Sequence, residues 1–215
     1  MELILFPFGG NAKEAVFVID EINKHNPTWN FIGFIDDDPT LRGIGYFGHS
    51  VLGGRDKIED FSKARILACP GRPENFHRRI QIIESLGIRD DRFATLIHPC
   101  AQISSGTKIG INTLIMSGVV TTAKASIGNH CIILPNTVIS HDVTIEDYSI
   151  VGSNVSISGG VHIGRMCYIG TASSIIHEVR IGEGSLIGMA ANVVSSIDKN
   201  SVVAGNPGKI IRKVQ

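Results

Sequence analysis

Two histidines in the second half of the chain are each followed by an acidic residue: His141 precedes Asp142, and His177 precedes Glu178. A carboxylate next to an imidazole can fix the tautomer of the ring and raise its basicity, which is what a general base requires. A single histidine–acid pair is a weak signal, because such pairs more often lie solvated at a protein surface. The spacing of the two pairs becomes informative because both lie in the same sequence repeat.

An aliphatic residue occupies every sixth position from Ile97 to Val193, with one exception. These positions are Ile97, Ile103, Ile109, Ile115, Thr121, Ile127, Ile133, Ile139, Ile145, Val151, Ile157, Ile163, Ile169, Ile175, Ile181, Ile187 and Val193. Helices repeat every 3.6 residues and strands every two, so a period of six is typical of a parallel β-helix built from hexapeptides. A small or β-branched residue two positions before each aliphatic fits the corner of a triangular prism. Glycine often follows the aliphatic residue, and we expect a positive φ there.

Three hexapeptides form one coil, which places His141, Gly159 and His177 in one column along the prism. Neighbouring coils lie about 4.8 Å apart, so the two histidines are about 10 Å apart and cannot share one metal ion within a chain. We therefore expect no metal site. Gly159 leaves room for a thin ligand beside His141, whereas Ser195 leaves no such room beside His177. This difference favours His141 as the base.

The first part of the chain lacks the period of six and alternates between predicted strands and helices. The predicted strands are Leu3–Phe6, Phe31–Ile35 and Ile66–Cys69, and the predicted helices cover residues 12–24, 58–61 and 73–86. This order predicts a small parallel, Rossmann-like sheet. The fold class is therefore an α/β Rossmann-like domain over residues 1–95, a β-helix over residues 96–198 and a C-terminal tail over residues 199–215.

Polar loops follow each of the three predicted strands. In parallel sheets, ligands bind beyond the carboxyl ends of the strands, so these loops predict one binding pocket. The candidate residues are Gly9, Gly10, Asn11, Asp36, Asp37 and Gly71. The glycine loop lacks the GxGxxG pattern of dinucleotide-binding proteins, and it could equally be an ordinary strand-to-helix turn. The aspartates could likewise be a solvated strand end.

Composition excludes several classes of function. The chain has 20 basic and 20 acidic residues, so no net field attracts it to nucleic acid or to an anionic membrane. It lacks an apolar stretch long enough to span a bilayer, and its N-terminal segment does not resemble a signal peptide. Its four cysteines are widely spaced, which favours reduced thiols in the cytoplasm.

The ending VVAGNPGKII, from Val202 to Ile211, is similar to the close of hexapeptide acyltransferases. Together with the repeat, the small first domain and the segment from Val138 to Ile145 (VISHDVTI), it makes the whole chain resemble one family. This family is the hexapeptide-repeat sugar O- and N-acetyltransferases, of the sialic acid O-acetyltransferase and bacillosamine N-acetyltransferase group. The resemblance implies a left-handed β-helix and a homotrimer with the active site between subunits.

The resemblance also implies roles for individual residues. His141 takes the position of the general base, and Asp142 orients its ring. The pocket residues named above would hold a nucleotide-linked sugar. Acetyl-CoA, the co-substrate, would lie against Gly159, Thr171 and Met189, largely through backbone contacts.

Two positions depart from the family pattern. The glycine loop usually carries Gly-His-Gly, and Asn11 stands in place of that histidine. Members often have a second histidine, which contacts the acetyl thioester, nine residues after the catalytic one, and Ile150 stands at that position. These departures leave the acceptor contacts and one CoA contact open, but they do not affect the general base.

The leading hypothesis is direct transfer of acetyl from acetyl-CoA to the amino group of a nucleotide-linked deoxysugar. Acetylation of a sugar hydroxyl, on a sialic acid or a polysaccharide precursor, is the alternative enzyme, since the same His141–Asp142 pair could serve it. A trimeric binding or scaffold protein without catalysis is the alternative outside enzymes.

Overall fold

The computed structural model describes residues 1–214, which form an α/β region followed by short parallel strands in repeated succession. The strands of the first region are β1 (Glu2–Phe6), β2 (Asn30–Ile35), β3 (Gly45–Tyr46), β4 (His49–Gly53) and β5 (Arg65–Ala68). Its α-helices are α1 (Gly10–His25) and α2 (Arg79–Glu84). Short 3-10 helices cover Pro39–Leu41, Arg55–Phe61, Phe76–Arg78 and Asp90–Arg92.

The α/β region contains a five-stranded sheet in the order β3-β4-β2-β1-β5. Strands β1, β2, β4 and β5 run parallel, and β3 joins β4 as an antiparallel hairpin. The central strand β1 is apolar and buried from Leu3 to Phe6, as expected for a parallel strand that is covered on both faces. Helix α1 packs on this sheet and ends ahead of Pro27, whose ring disfavours helical backbone at the preceding residue.

Local structure departs from the predicted elements at three places. The predicted helix over residues 73–86 is instead a 3-10 turn followed by the short helix α2. Residues 55–61 are 3-10 rather than α-helical, and the β3–β4 hairpin is an element that the sequence did not reveal. The Rossmann-like classification and the domain limits at residues 95 and 198 remain predictions.

The second region is a triangular prism whose three faces are sheets of parallel strands, apart from one antiparallel strand, Lys209–Lys213, at the end of one face. The covered face, which the α/β region packs against, contains Leu96–Ile97, Leu114–Ile115, Ile132–Ile133, Ile150–Val151, Tyr168–Ile169, Leu186–Ile187, Ser201–Ala204 and Lys209–Lys213. The uncharged face contains Gln102–Ile103, Val120–Thr121, Val138–Ile139, Ser156–Ile157, Ser174–Ile175 and Asn192–Val193. The charged face contains Lys108–Ile109, Ser126–Ile127, Thr144–Ile145, His162–Ile163 and Arg180–Ile181. This succession of strands fits a left-handed β-helix.

The sixth-residue aliphatics point into the prism, where they form one core from Ile115 to Val203. Strands pair one coil apart in register, as for Ile139 with Ile157. The one polar member of the series, Thr121, is buried, and its hydroxyl hydrogen-bonds the Thr107 hydroxyl at 2.7 Å and accepts from the Ser104 N–H. These partners explain how a polar residue is tolerated at a core position.

Positive φ occurs at a different position from the one predicted. It falls on the third residue after the aliphatic, as at Asn112 and Asp142, and not on the glycine that follows it. The glycine that follows the aliphatic residue is explained instead by contact between adjacent coils. A Cβ at Gly110 would meet the backbone of Gly128 and Asn129 in the next coil, so the close approach of coils requires the missing side chain.

The chain continues past the last predicted repeat as an ordered part of the covered face. Ser201–Ala204 pairs in parallel with Leu186–Ile187, and Lys209–Lys213 returns antiparallel beside it. Most of the predicted tail is thus strand, while Gln215 lies outside the described residues. No helix within residues 1–214 combines the length and apolar character needed to cross a membrane.

Candidate active site

His141 and Asp142 form a hydrogen-bonded pair at the corner between the uncharged and charged faces. The His141 Nδ1 and the Asp142 Oδ2 are 2.9 Å apart, and both side chains are more than half exposed in the single chain. Asp142 has φ +58°, so its side chain turns back beside its neighbour instead of pointing to the opposite side, as it would in a strand. This pairing stabilises the tautomer that leaves Nε2 free to accept a proton.

Gly159 lies beside His141 in the next coil. A Cβ at Gly159 would contact the His141 Cε1 and Nε2 atoms, so the imidazole occupies the space that a side chain would fill. The Gly160 N–H donates to the His141 carbonyl at 2.9 Å, which ties the two coils together at this point. In the part of the chain that the structure describes, the carboxylate hydrogen bond of His141 has no counterpart at His177. We name this corner, with His141, Gly159 and His177, the histidine corner.

The six predicted pocket residues line one cavity of about 580 Å³ at the carboxyl ends of β1, β2 and β5. The structure therefore brings Gly9, Gly10, Asn11, Asp36, Asp37 and Gly71 together. Phe8, Leu41, Arg55, Arg72 and Tyr168 also line it. Tyr168 belongs to the covered face, so the prism contributes to the wall of this cavity. We name it the α/β cavity.

The two aspartates in the α/β cavity have different partners. The Asp36 carboxylate accepts from the backbone N–H groups of Phe8 and Asp38, both at 2.9 Å. Asp37 accepts from the Arg55 backbone N–H and from its guanidinium, and this hydrogen-bonded cation lowers the pKa of Asp37. Asp37 is thus neutralised by Arg55, while Asp36 remains the carboxylate without an ionic partner among the described residues.

Asn11 joins the glycine loop to the loop after β5. Its Nδ2 donates to the carbonyls of Cys69 and Gly71, at 3.1 and 3.2 Å. Both amide hydrogens are therefore used within the protein, and only Oδ1 remains for a ligand.

The three predicted CoA residues lie at two corners of the prism. Gly159 is at the histidine corner, whereas Thr171 and Met189 follow strands of the covered face, at the corner before the uncharged face. We name this second edge the methionine corner, after Met189, whose side chain is 74% exposed. Within one chain the structure does not bring Gly159 together with Thr171 and Met189.

The histidine corner and the α/β cavity are also apart in one chain. The corner between two faces of a triangular prism lies opposite the third face, and the α/β region packs on that third face. His141 therefore lies at the edge farthest from the residues that line the cavity.

Comparison with known families places the repeat region. Residues 93–203 match the model of the GMPPB C-terminal domain family, and this match spans more than half of the 215 residues. The chain belongs to the GMPPB C-terminal domain family. A search of curated proteins by sequence finds no match.

The likeness to solved structures covers nearly the whole chain. The acetyltransferase domain of PglB from Neisseria gonorrhoeae is 25% identical, with a TM-score of 0.84, over 98% of this chain and 99% of that one. A His-to-Ala variant of GDP-perosamine N-acetyltransferase from Caulobacter crescentus, in complex with CoA and GDP-perosamine, is 24% identical, with a TM-score of 0.83, over 99% and 97%. WeeI from Acinetobacter baumannii is 24% identical, with a TM-score of 0.79, over 98% and 99%. The resemblance to hexapeptide-repeat sugar acetyltransferases is confirmed.

The sequence did not reveal the partner of Asp37 or the packing role of Ile150. Arg55, which neutralises Asp37, comes from a 3-10 helix eighteen residues away, and no local pattern links the two. Ile150, at the position of the second family histidine, is buried beneath Gly71, where a Cβ on that glycine would meet its Cδ1. Ile150 therefore packs the α/β region onto the covered face. Among residues 1–214 no cluster of three or more His, Cys, Asp or Glu side chains could hold a metal ion.

Proposed function

We propose that this protein is an acetyl-CoA-dependent N-acetyltransferase that acts on the amino group of a nucleotide-linked amino-deoxysugar. The observation that carries the proposal is the His141–Asp142 pair, which leaves the imidazole Nε2 free at an exposed corner beside Gly159. The acetyltransferase domain of PglB and the N-acetyltransferase bound to CoA and GDP-perosamine support the reaction class.

The reaction is direct transfer. The neutral amine of the sugar attacks the thioester carbonyl carbon, and the His141 Nε2 accepts the proton that the nitrogen loses. The tetrahedral intermediate collapses by breaking the carbon–sulfur bond, the CoA thiolate takes the proton from the His141 imidazolium, and CoA and the amide are released. Asp142 holds the ring and stabilises the imidazolium that forms.

The cysteines do not offer a covalent alternative at this corner. Burial raises the pKa of Cys69, Cys131 and Cys167 to about 12, so these thiols stay protonated and enclosed. Cys100 is exposed, but it lies in the first coil, two coils away from His141 along the prism. Since the thiolate is the nucleophile, an acyl-cysteine intermediate is unfavourable for this chain.

The active site lies between the subunits of a homotrimer. The outward side chains of the uncharged face carry no charge: Gln102, Val120, Val138, Ser156, Ser174 and Asn192. Exposed apolar side chains lie on this face and at its two corners: Val138, Ile176, Met189 and Val194. A surface that has few charged side chains and several exposed apolar ones is typical of the core of a subunit interface.

Packing three uncharged faces around an axis brings the histidine corner of one subunit to the methionine corner of the next. CoA would then lie in the groove between them, against His141 and Gly159 on one side and Thr171 and Met189 of the partner subunit on the other. The partner's α/β region flanks its methionine corner, so the cavity that is remote from His141 within a chain becomes its neighbour across the groove.

The nucleotide-linked sugar would occupy the α/β cavity of this Rossmann-like domain. Gly9 is the N-cap of α1 and Gly10 is its first residue, and a Cβ at either would meet no atom within 4 Å. A diphosphate can approach the backbone there and interact with the positive end of the helix dipole. Asp36, which has no ionic partner within residues 1–214, is suited to hydroxyl or N–H donors of the nucleoside.

The test is a CoA-release assay with acetyl-CoA and a panel of UDP-, GDP- and dTDP-linked amino sugars. The expected result is CoA release with at least one acceptor, together with an acetylated product in the mass spectrum. Thermal shifts with acetyl-CoA and with each nucleotide sugar provide the second measurement. No CoA release and no shift with acetyl-CoA would favour a trimeric scaffold that lacks catalysis.

A further inference from the structure

One wall of the α/β cavity is formed by Cys69–Gly71, and every carbonyl oxygen from Ala68 to Gly71 accepts a hydrogen bond from a side chain. Asn112 donates to the Ala68 carbonyl at 2.8 Å, and its Oδ1 accepts from the Ala68 N–H at 2.7 Å. Asn11 holds the carbonyls of Cys69 and Gly71. Arg79 donates from Nη1 to the Pro70 carbonyl. Three side chains, those of Asn11, Arg79 and Asn112, thus fix the positions of these four consecutive carbonyls.

Arg79 is the member of this group that fixes the wall to the prism. Besides Pro70, its guanidinium donates from Nε to the Tyr148 carbonyl at 3.0 Å and from Nη2 to the His130 carbonyl. His130 and Tyr148 occupy successive coils at one corner, and their rings stack at 4.6 Å. The three bonds of one planar group thus join the cavity wall to two coils of the β-helix.

The environment of Arg79 is unusual for a cation. The side chain is fully buried, and the salt bridges of the described residues do not include it. Burial lowers the pKa of Arg79 to about 10, so the group remains protonated at neutral pH. Burying a charge is costly unless its donors are satisfied, and backbone carbonyls satisfy them here. A residue with only a packing role could be uncharged, so the buried guanidinium indicates that its hydrogen bonds to the three carbonyls are its role.

The backbone of Gly71 shows how the loop that Arg79 and Asn11 bind is held against the prism. Gly71 has φ +137°, which favours glycine, and a Cβ there would collide with Ile150 and approach Arg79. The loop is therefore pressed onto the covered face beneath it, with Asn11 holding it from the α1 side. Its opposite surface lines the α/β cavity.

We propose that Arg79 is a positioning residue for the nucleotide-linked acceptor, and that Asn11 completes its effect by holding the same loop from the other side. Arg79 does not touch the acceptor, because it is fully buried. It sets the distance between the cavity wall and the β-helix, and hence the place of the acceptor relative to the histidine corner of the neighbouring subunit. This inference rests on the proposed function, which assigns the α/β cavity to the acceptor.

The test compares Asn11→Asp and Arg79→Lys with the wild type. Asn11→Asp keeps the shape but replaces both donors by an acceptor that faces two carbonyls. Arg79→Lys keeps the charge but cannot reproduce three bonds in a planar fork. Because the loop must hold its position in the wall to bind the acceptor, leaving its buried carbonyls unpaired, at about 1–3 kcal/mol, corresponds to a loss of about 5- to 150-fold in affinity. The Kd for the nucleotide sugar and its KM should rise by that factor, while the Kd for CoA stays unchanged.

Asn23→Asp is the matched control, because Asn23 lies on the same helix and its Nδ2 donates to the Trp29 carbonyl at 2.7 Å, away from the α/β cavity. Binding is measured by calorimetry with UDP, GDP and dTDP, each alone and as an amino sugar, and folding is followed by Tm. Unchanged nucleotide affinity in Arg79→Lys would overturn the inference whatever Asn11→Asp shows, because Asn11 lines the cavity and its replacement by Asp also adds a charge there. So would an equal loss in Asn23→Asp, or a parallel loss of CoA binding, since both indicate general destabilisation.

The two proposals fail in different ways. A wild-type protein that binds a nucleotide sugar but never releases CoA contradicts the acetyltransferase, while the binding comparison still decides the role of Arg79. A wild-type protein that binds CoA but none of the nucleotides removes the assignment of the cavity, and the positioning role with it.

Discussion

The imidazole of His141 lies against the backbone of Gly159, in the position that a side chain at residue 159 would occupy. The glycine is one coil further along the same corner and does not have a positive φ. Its lack of a side chain is therefore explained by the neighbouring ring and not by its own backbone conformation. The orientation of the proposed base, His141, therefore depends on the absence of a Cβ at Gly159 in the next coil.

Gly159→Ala should therefore cut kcat while the fold is retained. The new methyl group displaces the imidazole, and a misplacement of about 1 Å of a catalytic group can cost about 10²-fold in rate. Gly106→Ala is the control, because Gly106 lies at the same corner of the first coil and its Cβ would meet nothing nearer than the Lys124 nitrogen, at 3.7 Å. Steady-state kinetics at saturating acetyl-CoA compare the two. Equal kcat values would show that the ring position is unimportant.

His141→Ala should lower kcat by about 10²- to 10⁴-fold, the usual contribution of a general base. Because the side chain is exposed and forms no core contact, Tm should change little. His177→Ala changes the same residue type in the same column, without the paired carboxylate, and should keep most of the activity. A comparable loss in both variants would contradict the preference for His141.

The order of the prism was readable from the sequence because one strict period determines strand, face and coil together. The period placed His141 beside Gly159, since residues eighteen apart are neighbours in adjacent coils. The period of six could not reveal that the Arg79 guanidinium donates to three backbone carbonyls, those of Pro70, His130 and Tyr148. Such contacts depend on how two regions dock, and no local pattern encodes them.

The α/β cavity was likewise predictable only in part. The carboxyl ends of parallel strands converge whatever their sequence, so Gly10, Asp36 and Gly71 could be placed together. The partner of each polar group could not be foreseen. Asn11 lines the cavity, but the sequence did not reveal that both of its amide hydrogens bind the loop after β5.

A charge on the uncharged face should separate the subunits. Val138 is 40% exposed in the single chain and lies in the middle of this face, so Val138→Lys would bury a cation at the proposed interface. Size-exclusion chromatography with light scattering should show the trimer shifting to monomer, with loss of activity and an unchanged circular dichroism spectrum. Thr144→Lys, on the charged face, is the control and should stay trimeric. A trimeric, active Val138→Lys variant would place the interface elsewhere.

Stability should fall as the pH drops below neutral, because His130 is buried beside Arg79. Burial lowers the pKa of His130 to about 4, so the folded protein keeps the ring neutral where the unfolded chain protonates it. The unfolded state then binds more protons between pH 6.5 and 4, and the free energy of unfolding decreases as pH falls through this window, by about 2 kcal/mol at pH 5. Burial lowers the pKa of His98 as well, so it adds to the effect in the same direction.

His130→Asn isolates this contribution. Asparagine accepts the φ of +58° at this position, but it does not titrate in this range. The variant should be less stable at pH 7, because the stacking on Tyr148 is lost, yet its Tm should decrease less between pH 7 and pH 5 than that of the wild type. His25→Asn, at the exposed end of α1, should keep the full pH dependence. If His130→Asn shows the same slope as the wild type, the loss of stability comes from other groups, and the neutral ring beside Arg79 is not its cause.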